Sequence, residues 1–451
     1  MKTMIRSSLF TVLLSSVLLP APMRGQETER SLTLEQALEL AREGNPGLEA
    51  VRQKVEETRR RSSVAFTNYL PRIETQASYL VNNNTQGILL PSGSLGYFSE
   101  LGGKFPRTDR TIPQGGTDIF FALTTVAQPL TQFFKIREGR GVLRADEDVA
   151  GAELRQAEQS LALGVLQAYA GLLIATRAAE VARERATAAE QRISYLTAAV
   201  QSGTALEVAQ REARVRWLQA RQEVLEREDE VDDLNYALTD AVGLPAGVRV
   251  EATPPPAVDG AHEALEYYIE AALRANPEVV GAQALIAKAT HGVGAARAEY
   301  IPDVGLLGMH LYQNSFPFLP KNTLGLGIMG SWTILDFGQR RRTVQERRAQ
   351  LRQAEGNVSV IEGRVRGAVG TAYRRLERSE EVLELAREAL SLRTEASRLR
   401  IVEVTTGLAV AAQEGEANAD RMEAEVDLLK AELGHRIALA ELALASGVLG
   451  R

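Results

Sequence analysis

Two segments of this chain contain the same short motifs in the same order. An Asn-Pro pair at Asn45 precedes a Tyr-Leu-Pro triplet at Tyr69, and an Asn-Pro pair at Asn276 precedes a Tyr-Ile-Pro triplet at Tyr300. Both motifs recur after 231 residues, from 276 − 45 and from 300 − 69. Two motifs that match without a gap indicate an internal duplication. Any fold for this chain must therefore contain one supersecondary unit built twice.

A second set of matches follows with a different offset. Each pair lies 204 residues apart (373 − 169), namely Tyr169 with Tyr373, Gly203 with Gly407, and Gly243 with Gly447. The change of offset places 231 − 204 = 27 additional residues in the first copy, before Tyr169. We assign the first repeat to residues 26–242, a Pro-rich linker to 243–260 and the second repeat to 261–451.

The N-terminus predicts export from the cytoplasm. Residues 1–25 contain Lys2 and Arg6, then an apolar run from Leu9 to Leu19, then small residues and prolines. This order is typical of a secretory signal peptide. The count of Cys is 0, so neither disulfides nor a lipid anchor on cysteine is expected. After the signal peptide no apolar run approaches the roughly 18 residues of a transmembrane helix.

Composition excludes several classes of function. The formal net charge of -6 argues against a nucleic-acid partner, which would require a basic face. The 4 histidines are far apart in sequence and none falls in a metal-ligand spacing. Without cysteine or a Gly-x-Ser-x-Gly motif, no catalytic nucleophile is recognisable. We therefore predict neither an enzyme nor a bound cofactor or metal.

Hydrophobic periodicity predicts two kinds of element. After a helix that begins at Pro46 and ends near Asn68, the apolar residues change from helical spacing to alternation. Ten of the 11 Phe lie in the two windows where alternation occurs. Segments of about 10 to 12 residues match the length of tilted membrane-spanning strands. The predicted strands lie at about 72–82, 118–129, 303–314 and 322–334, with a long loop over 82–117.

Very long helices follow each pair of strands. No proline occurs over about 134–201 and 339–405, where Ala, Leu, Glu, Arg and Gln predominate. A helix of this length extends for roughly 100 Å. Each ends at a turn centred on Gly203 or Gly407, after which a shorter helix returns.

Each copy is thus predicted as a helix, a β-hairpin, a very long helix and a returning helix, so the protein is mainly α. Two copies supply four strands, too few to close a barrel. An open sheet edge in hydrocarbon would leave backbone groups unpaired, at several kcal/mol each. The sheet must therefore close between chains. Two chains would give eight strands and three would give twelve, and the residues alone leave both numbers open.

These features together resemble a known family, the TolC-like outer membrane efflux proteins, also called outer membrane factors. The resemblance rests on the Asn-Pro and Tyr-x-Pro motifs, the paired hairpins, and the spacing of 34 between Tyr169 and Gly203 (203 − 169), repeated in the second copy. It implies a homotrimer with a twelve-stranded β-barrel in the outer membrane and an α-helical barrel across the periplasm.

The resemblance also implies a function and partners. Such proteins are outer membrane ducts of tripartite efflux or type I secretion systems, exporting small molecules or proteins. They work with a periplasmic adaptor (membrane fusion) protein and with an inner-membrane transporter of the RND, ABC or MFS class. A periplasmic coiled-coil scaffold or adaptor is the alternative, because it would equally explain the signal peptide and long helices. It would not explain the alternating strands.

Three sets of candidate residues follow. By resemblance, the Gly-centred turns form the periplasmic tip where the adaptor docks, at Val200, Gly203, Thr204, Val404, Gly407 and Leu408. By resemblance too, acidic residues after the turns line the entrance, at Glu207, Glu212, Glu414 and Glu416, although Gln413 stands where the family has Asp. Aromatic residues at strand ends are candidates for membrane-interface girdles, at Tyr69, Phe133, Tyr300, Trp332 and Phe337.

Each set has a simpler interpretation. The glycines also serve as plain helix C-caps. The acidic residues also fit a solvated helix face. The aromatic residues also fit simple packing at the strand-to-helix junctions. The run Arg340 to Arg342 fits the periplasmic rim of a barrel, the lining of a duct, or a solvated charge run.

Overall fold

The computed structural model describes residues 28–85, 87–245, 247–256, 263–316, 318–406 and 411–447. Several features predicted from the sequence lie wholly or partly outside the described residues. They include the signal peptide, the tip residues Gly407 and Leu408, position 86 of the predicted loop, and positions 246 and 257–260 of the linker.

The helices of the second half repeat those of the first. Helices α1, α2 and α4 recur as α5, α6 and α8 with offsets of 231 (265 − 34 and 277 − 46) and 204 (411 − 207). The long helices α3 and α7 contain 69 and 67 residues. In chain order the helices are α1 Leu34–Gly44, α2 Pro46–Thr67, α3 Phe133–Gln201, α4 Glu207–Ala241, α5 Leu265–Ala275, α6 Pro277–Ala298, α7 Gln339–Thr405 and α8 Ala411–Ala445.

The repeated Asn-Pro pairs tie helix ends together. Asn45 caps α2, because its side-chain oxygen accepts a hydrogen bond from the Leu48 amide at 2.9 Å. Its Nδ2 atom donates to the carbonyl of Ala241 at the end of α4, at 3.0 Å. Asn276 caps α6 and donates to the carbonyl of Ala445 at the end of α8 in the same way, at 2.9 Å. Each Asn therefore joins the start of one helix to the end of the returning helix of its own copy.

Glycine is required where these ends meet. Gly243 follows α4 with a φ of 72°, and a Cβ there would lie 2.4 Å from the Gly44 carbonyl oxygen. Gly447 follows α8 with the same φ, and its Cβ would lie 2.6 Å from the Asn276 nitrogen. Any side chain would clash with backbone at both positions, in addition to the cost of a left-handed conformation. These two repeated glycines are therefore packing positions.

The strands of the described residues form one larger sheet and three pairs. The larger sheet has four antiparallel strands in the order β10-β9-β7-β2, so β2 and β10 are its unpaired edges. In chain order the strands are β1 Thr28–Leu32, β2 Arg72–Val81, β3 Gly87–Leu90, β4 Tyr97–Phe98, β5 Gly103–Lys104, β6 Arg110–Pro113, β7 Asp118–Pro129, β8 Val248–Ala252, β9 Asp303–Gln313 and β10 Asn322–Ser331.

The structure differs from the sequence predictions at three places. The predicted loop 82–117 contains two short antiparallel pairs, β3 with β6 and, between them in the chain, β4 with β5. Positive-φ glycines such as Gly93 and Gly102 permit the turns of this segment. Part of the predicted linker is strand β8, which pairs in parallel with β1. Strand β10 ends at Ser331, three residues before the predicted end (334 − 331), because the chain then enters a turn around Asp336.

Tyr169 holds the β1–β8 pair against the long helix. Its side chain in α3 is fully buried, and its hydroxyl lies 2.8 Å from the Leu32 carbonyl and 2.7 Å from the Thr253 carbonyl. The hydroxyl also accepts a hydrogen bond from the Thr253 amide at 2.8 Å. Burial raises the pKa of this phenol above its ordinary value.

The helices pack side by side in one layer. Towards the sheet the neighbours follow the order α2-α3-α6-α7, and at the far end the order is α4-α3-α8-α7. Among the described helices, α3 alone is apolar enough over an 18-residue window to cross a membrane by length and composition. Packed core helices meet the same criterion, and α3 packs against α2, α4, α6 and α8. The edges of the layer are α7 on one side, and α2 and α4 on the other.

Candidate functional site

One face of the four-stranded sheet exposes many large apolar side chains. The register places Ile73, Val126, Gly308 and Leu326 in one row across the four strands, so these residues point to the same side. Exposed patches of this kind mark membrane or protein contacts. The large apolar side chains on this side, here called the apolar face, include Ile73 (69% exposed), Tyr79, Val81, Val126, Leu306, Leu324 (76%), Leu326 (87%) and Ile328 (74%).

The opposite face is mixed. On β2 it presents polar side chains, including Glu74 and Gln76, whose strand neighbours on β7 are Thr125 and Leu123. On β10 it presents Gly325, over which the Met309 side chain lies, because a Cβ at Gly325 would be 2.9 Å from Met309 Cγ. Polar and small residues on two of four strands distinguish this mixed face from the apolar face.

The five predicted interface aromatic residues all lie where the sheet meets the helices. Tyr69 stacks on Phe133 with ring centroids 5.6 Å apart. Tyr300 lies under the guanidinium of Arg340, at 5.9 Å from the ring centroid. Trp332 and Phe337 are 57% and 86% exposed, without an aromatic partner among the described residues. The structure therefore places each of these residues at a junction between the sheet and the helices, and their role in a membrane interface stays a prediction.

The turn after β10 is organised by one carboxylate that the sequence analysis did not single out. Asp336 accepts hydrogen bonds from the amides of Gly338 at 2.9 Å and Arg340 at 3.2 Å, at the start of α7. These backbone bonds, that of Arg340 foremost, lower the pKa of Asp336 below its ordinary value. The Arg340 guanidinium donates to the Thr333 carbonyl at 2.7 Å and thereby closes the turn. Phe337 lies within it at a φ of 52°, which is unusual for a bulky residue.

The first predicted tip turn is well defined. Gly203 has a φ of 73°, and a Cβ there would meet no atom within 4 Å, so only the backbone conformation requires glycine. Thr204 fastens the turn, since its amide and its hydroxyl both donate to the Ala199 carbonyl, at 2.8 and 3.0 Å. Val200 is half-buried in the last turn of α3. At the second tip, Val404 is half-buried near the end of α7.

The predicted entrance carboxylates do not form one group. Glu207 pairs with Arg211 at 2.7 Å on the same helix. Glu212 of α4 and Glu416 of α8 line one pocket between these helices and α3. Glu414 is half-buried on α8 and is not part of that lining.

Basic residues share this pocket, which the sequence analysis missed. Arg185 bonds Glu423 at 2.5 Å, and Arg192 and Arg216 complete the basic lining. The pocket therefore has mixed charge. Arg185 and Arg192 lie on α3, and only packing brings them to Glu212 and Glu416. Arg216 instead follows Glu212 by four residues on α4, a helical spacing that the sequence analysis did not use.

Within the described residues, no group of three or more His, Asp or Glu has the arrangement of a metal site. The closest approach of a His to a carboxylate there is His291 Nδ1 to Glu138 Oε2 at 2.9 Å, between α6 and α3. This pair packs into a notch, because a Cβ at Gly141 would lie 2.4 Å from the imidazole. The pair serves helix packing.

The sequence matches one family profile twice. The family is described as outer membrane efflux protein, and the matches cover residues 37–244 and 268–448. The chain belongs to the outer membrane efflux protein family. The starts of the two matches lie 268 − 37 = 231 residues apart and the ends 448 − 244 = 204, which are the two offsets of the repeated motifs. No curated protein sequence matches this efflux protein.

Solved structures of outer membrane channels share its fold. CusC superposes with a TM-score of 0.71 at 15% identity, over 92% of each chain. The CmeC outer membrane channel of Campylobacter jejuni has a TM-score of 0.71 at 14% identity, over 95% of this chain and 90% of that one. The open-state MtrE outer membrane channel of Neisseria gonorrhoeae has a TM-score of 0.67 at 17% identity, over 92% and 88%.

The family match and the fold decide between the two interpretations of the sequence. This chain is an outer membrane efflux protein, and it has the fold of solved outer membrane channels. A periplasmic scaffold or adaptor is not supported, because the family consists of outer membrane efflux proteins.

Proposed function

We propose that three copies of this efflux protein form one duct from the periplasm through the outer membrane. The observation that carries this proposal is the pair of unpaired edges, β2 and β10, on a sheet with an exposed apolar face. In hydrocarbon each unpaired backbone group costs several kcal/mol, so the edges must meet another chain. Three sheets of four strands give twelve strands, enough for a barrel with an open lumen, which the mixed face would line.

Strand direction supports closure in a ring. In the order β10-β9-β7-β2 every neighbouring pair is antiparallel, so β10 and β2 run in opposite directions. Strand β10 of one subunit can therefore continue the antiparallel pattern beside β2 of the next. The contact joins two different surfaces, and a rotation that returns to its start closes such contacts into a ring.

The helix edges carry matching features. An exposed seam with alternating spacings of three and four residues runs along α7, and these are the spacings of a coiled coil. The α7 seam consists of Val382, Leu385, Ala389, Leu392, Ala396 and Leu399, all exposed. On the opposite edge, α4 exposes a sparser seam, whose apolar residues fall on positions of the same heptad pattern with polar residues such as Arg211 and Asp232 between them. The apolar members of the α4 seam are Val208, Val215, Leu218, Leu225 and Tyr236. The two seams would pack against each other between neighbouring subunits.

The partners are proposed at a finer level than the family shows. A periplasmic adaptor would dock at the tip residues Val200, Gly203, Thr204 and Val404, together with Gly407 and Leu408, and an inner-membrane transporter of the RND, ABC or MFS class would supply the cargo. The open space around Gly203 leaves this turn accessible to a partner. Type I secretion and tripartite efflux would use the same duct, and cargo choice would belong mainly to the transporter.

Light scattering tests the assembly. Protein extracted from outer membranes in detergent, corrected for bound detergent, should have the mass of three subunits. Resistance to salt extraction is expected, because the apolar face requires lipid or detergent. A monomer or dimer released by salt alone would contradict the trimeric barrel.

A further inference from the structure

The structure repeats strand register as well as helix bounds. In the first hairpin Arg72 pairs with Ala127. Adding the two offsets gives 72 + 231 = 303 and 127 + 204 = 331, and Asp303 does pair with Ser331 in the second hairpin. Any pair of the first hairpin therefore predicts a pair of the second. The same arithmetic can be applied to the contact that joins the two copies.

Strands β7 and β9 form that joining contact within the chain. Thr124 pairs with His310. Beyond the strand, the amides of Leu130 and Thr131 both donate to the Val304 carbonyl, at 2.9 and 3.2 Å. The Thr131 hydroxyl also donates to the Pro302 carbonyl at 2.6 Å. The segment after β7 is therefore held to the start of β9 by these three hydrogen bonds.

In the closed ring, β10 of one subunit lies beside β2 of the next. Strand β10 is the counterpart of β7, and β2 is the counterpart of β9, so this contact between subunits corresponds to the β7–β9 contact within the chain. Thr124 corresponds to Ile328 in the second copy (124 + 204), and His310 corresponds to Tyr79 in the first copy (310 − 231). We propose that β10 pairs with the neighbouring subunit's β2 in this register, with Ile328 opposite Tyr79. This inference rests on the proposed trimeric duct and specifies its subunit contact.

The two faces support this register independently. Ile328 and Tyr79 both lie on the apolar face, as do Leu326 and Val81, which the same offsets place opposite each other. On the mixed face, Gly327 is placed opposite Leu80, so a large side chain meets a small one. A shift of one residue would set the apolar face of one sheet beside the mixed face of the next.

The turn around Asp336 completes the contact. Adding 204 to the positions of Leu130 and Thr131 gives Ile334 and Leu335. Subtracting 231 from the positions of Pro302 and Val304 gives Pro71 and Ile73. Ile334 and Leu335 are 83% and 68% exposed, and Ile73 is 69% exposed. The Ile334 and Leu335 amides would donate to the neighbouring subunit's Ile73 carbonyl, and their side chains would cover Pro71 and Ile73.

The second turn is shaped for an external contact. In the first copy Phe133 stacks on Tyr69, but Arg340 occupies the corresponding place over Tyr300. Phe337, the counterpart of Phe133 (337 − 204), is instead turned outwards at a φ of 52°. Asp336 and Arg340 hold this conformation with their hydrogen bonds to the turn. A bulky residue in such a conformation indicates a role for the turn beyond its own chain.

Paired cysteines test the register, since the natural chain has Cys 0 and gives no background. Ile328→Cys combined with Tyr79→Cys should yield covalent trimers upon mild oxidation in the membrane. Two matched controls share the Ile328→Cys change. Leu80→Cys lies on the other face and Val81→Cys is shifted by two residues, and both should give at least severalfold less cross-linking because disulfides require close Cβ atoms.

Light scattering of the same samples separates the two levels of inference. A trimer that cross-links best through Leu80→Cys or Val81→Cys would overturn the register and leave the duct standing. A monomer without cross-links would overturn the duct itself. The expected result is a trimer that cross-links through Tyr79→Cys.

A second cysteine pair tests the turn. Leu335→Cys with Pro71→Cys should also form covalent trimers, and adding Asp336→Ala should slow this reaction while leaving the Ile328–Tyr79 pair unaffected. If Leu335→Cys carrying a fluorophore is instead quenched by nitroxide phospholipids and does not cross-link, the turn faces the bilayer and this contact is wrong.

Discussion

Individual residues at the ends of helices control the geometry of the chain. Gly203, Gly243 and Gly447 all have φ near 72°, yet they differ in what surrounds them. Gly243 packs closely against the backbone of Gly44 and Gly447 against the backbone of Asn276, whereas no atom lies near the side-chain position of Gly203. The same residue type thus serves packing at two positions and leaves an accessible turn at the third.

Substitution at Gly203 should separate docking from assembly. Gly203→Val should leave the trimer and its membrane insertion intact but reduce export with the cognate adaptor roughly tenfold, which corresponds to about 1.4 kcal/mol of lost interaction. Gly203→Asn is the matched control, because Asn tolerates a positive φ and should retain most export. Export of a fluorescent substrate from cells provides the measurement. Full export by Gly203→Val would contradict a docking role.

Removing the hydroxyl of Tyr169 should loosen the β1–β8 pair. Tyr169→Phe keeps the buried ring but deletes the hydrogen bonds at Leu32 and Thr253, with an expected cost of about 1 to 3 kcal/mol. The Thr253 amide, which donates to this hydroxyl, should exchange hydrogen roughly tenfold faster. Hydrogen exchange measured by mass spectrometry checks this, with unchanged exchange in the α7–α8 half as the internal control.

The pKa of Tyr169 adds a pH dependence to this contact. Because burial raises the pKa, the neutral phenol is favoured in the folded state, and its contribution to stability is complete below the ordinary value of 10.0. The contribution should be lost as the pH rises through the raised value. The effect of Tyr169→Phe on exchange should therefore be constant from neutral pH up to about 10. A decline of that effect already near neutral pH would show that the hydroxyl is not buried as described.

At the level of elements, long helices expose what a packed layer normally hides. Helix α3 is covered by neighbours on both sides, whereas α4 and α7 each keep an apolar seam exposed. Leu392 is 66% exposed in the middle of the α7 seam. A seam of this spacing is typical of a helix that packs against another helix.

A charge in the α7 seam should weaken the trimer. Leu392→Glu would place a carboxylate in the proposed helix contact, and each of the three contacts should lose about 2 to 4 kcal/mol. Leu392→Met is the matched control, since it conserves volume and polarity and should cost less than about 1.5 kcal/mol. The temperature at which detergent-solubilised trimers dissociate checks the difference. Equal temperatures for both variants would place the α7 seam outside the subunit contact.

For the whole molecule, charge at the proposed duct entrance depends on three helices together. Glu416 and Glu212 share their pocket with Arg185, Arg192 and Arg216. The fields of positive and negative groups in one pocket partly cancel, and at physiological ionic strength salt largely screens interactions between exposed charges more than about 8 Å apart. A strongly cation-selective entrance is therefore not expected from these carboxylates.

The double variant Glu414→Ala with Glu416→Ala should change ion selectivity only modestly. We expect less than roughly a twofold change in the cation-to-anion permeability ratio, because the neighbouring arginines offset Glu416 and because Glu414 lies outside the pocket. Arg216→Ala should shift the ratio in the opposite direction. Reversal potentials in planar bilayers under a salt gradient provide the measurement. A change of tenfold or more upon removal of the two carboxylates would show that they control the entrance.

The sequence by itself determined the elements that depend on local patterns. Alternation set the four main strands, the absence of proline set the long helices, and Asn45 and Asn276 marked helix starts through a side chain that bonds a nearby amide. The double offset also located the two copies and led to the efflux protein family. These features depend on neighbours within a few residues, or on a repeat that can be read directly.

The tertiary structure alone decided features that join distant residues. The β1–β8 pair joins residues 28–32 to residues 248–252. No local sequence pattern predicts a parallel pair between strands so far apart in the chain. The pocket where Arg185 and Arg192 of α3 lie beside Glu212 and Glu416 also depends on how whole helices pack. Local propensity cannot encode such contacts, because each requires two segments whose positions are fixed by the rest of the fold.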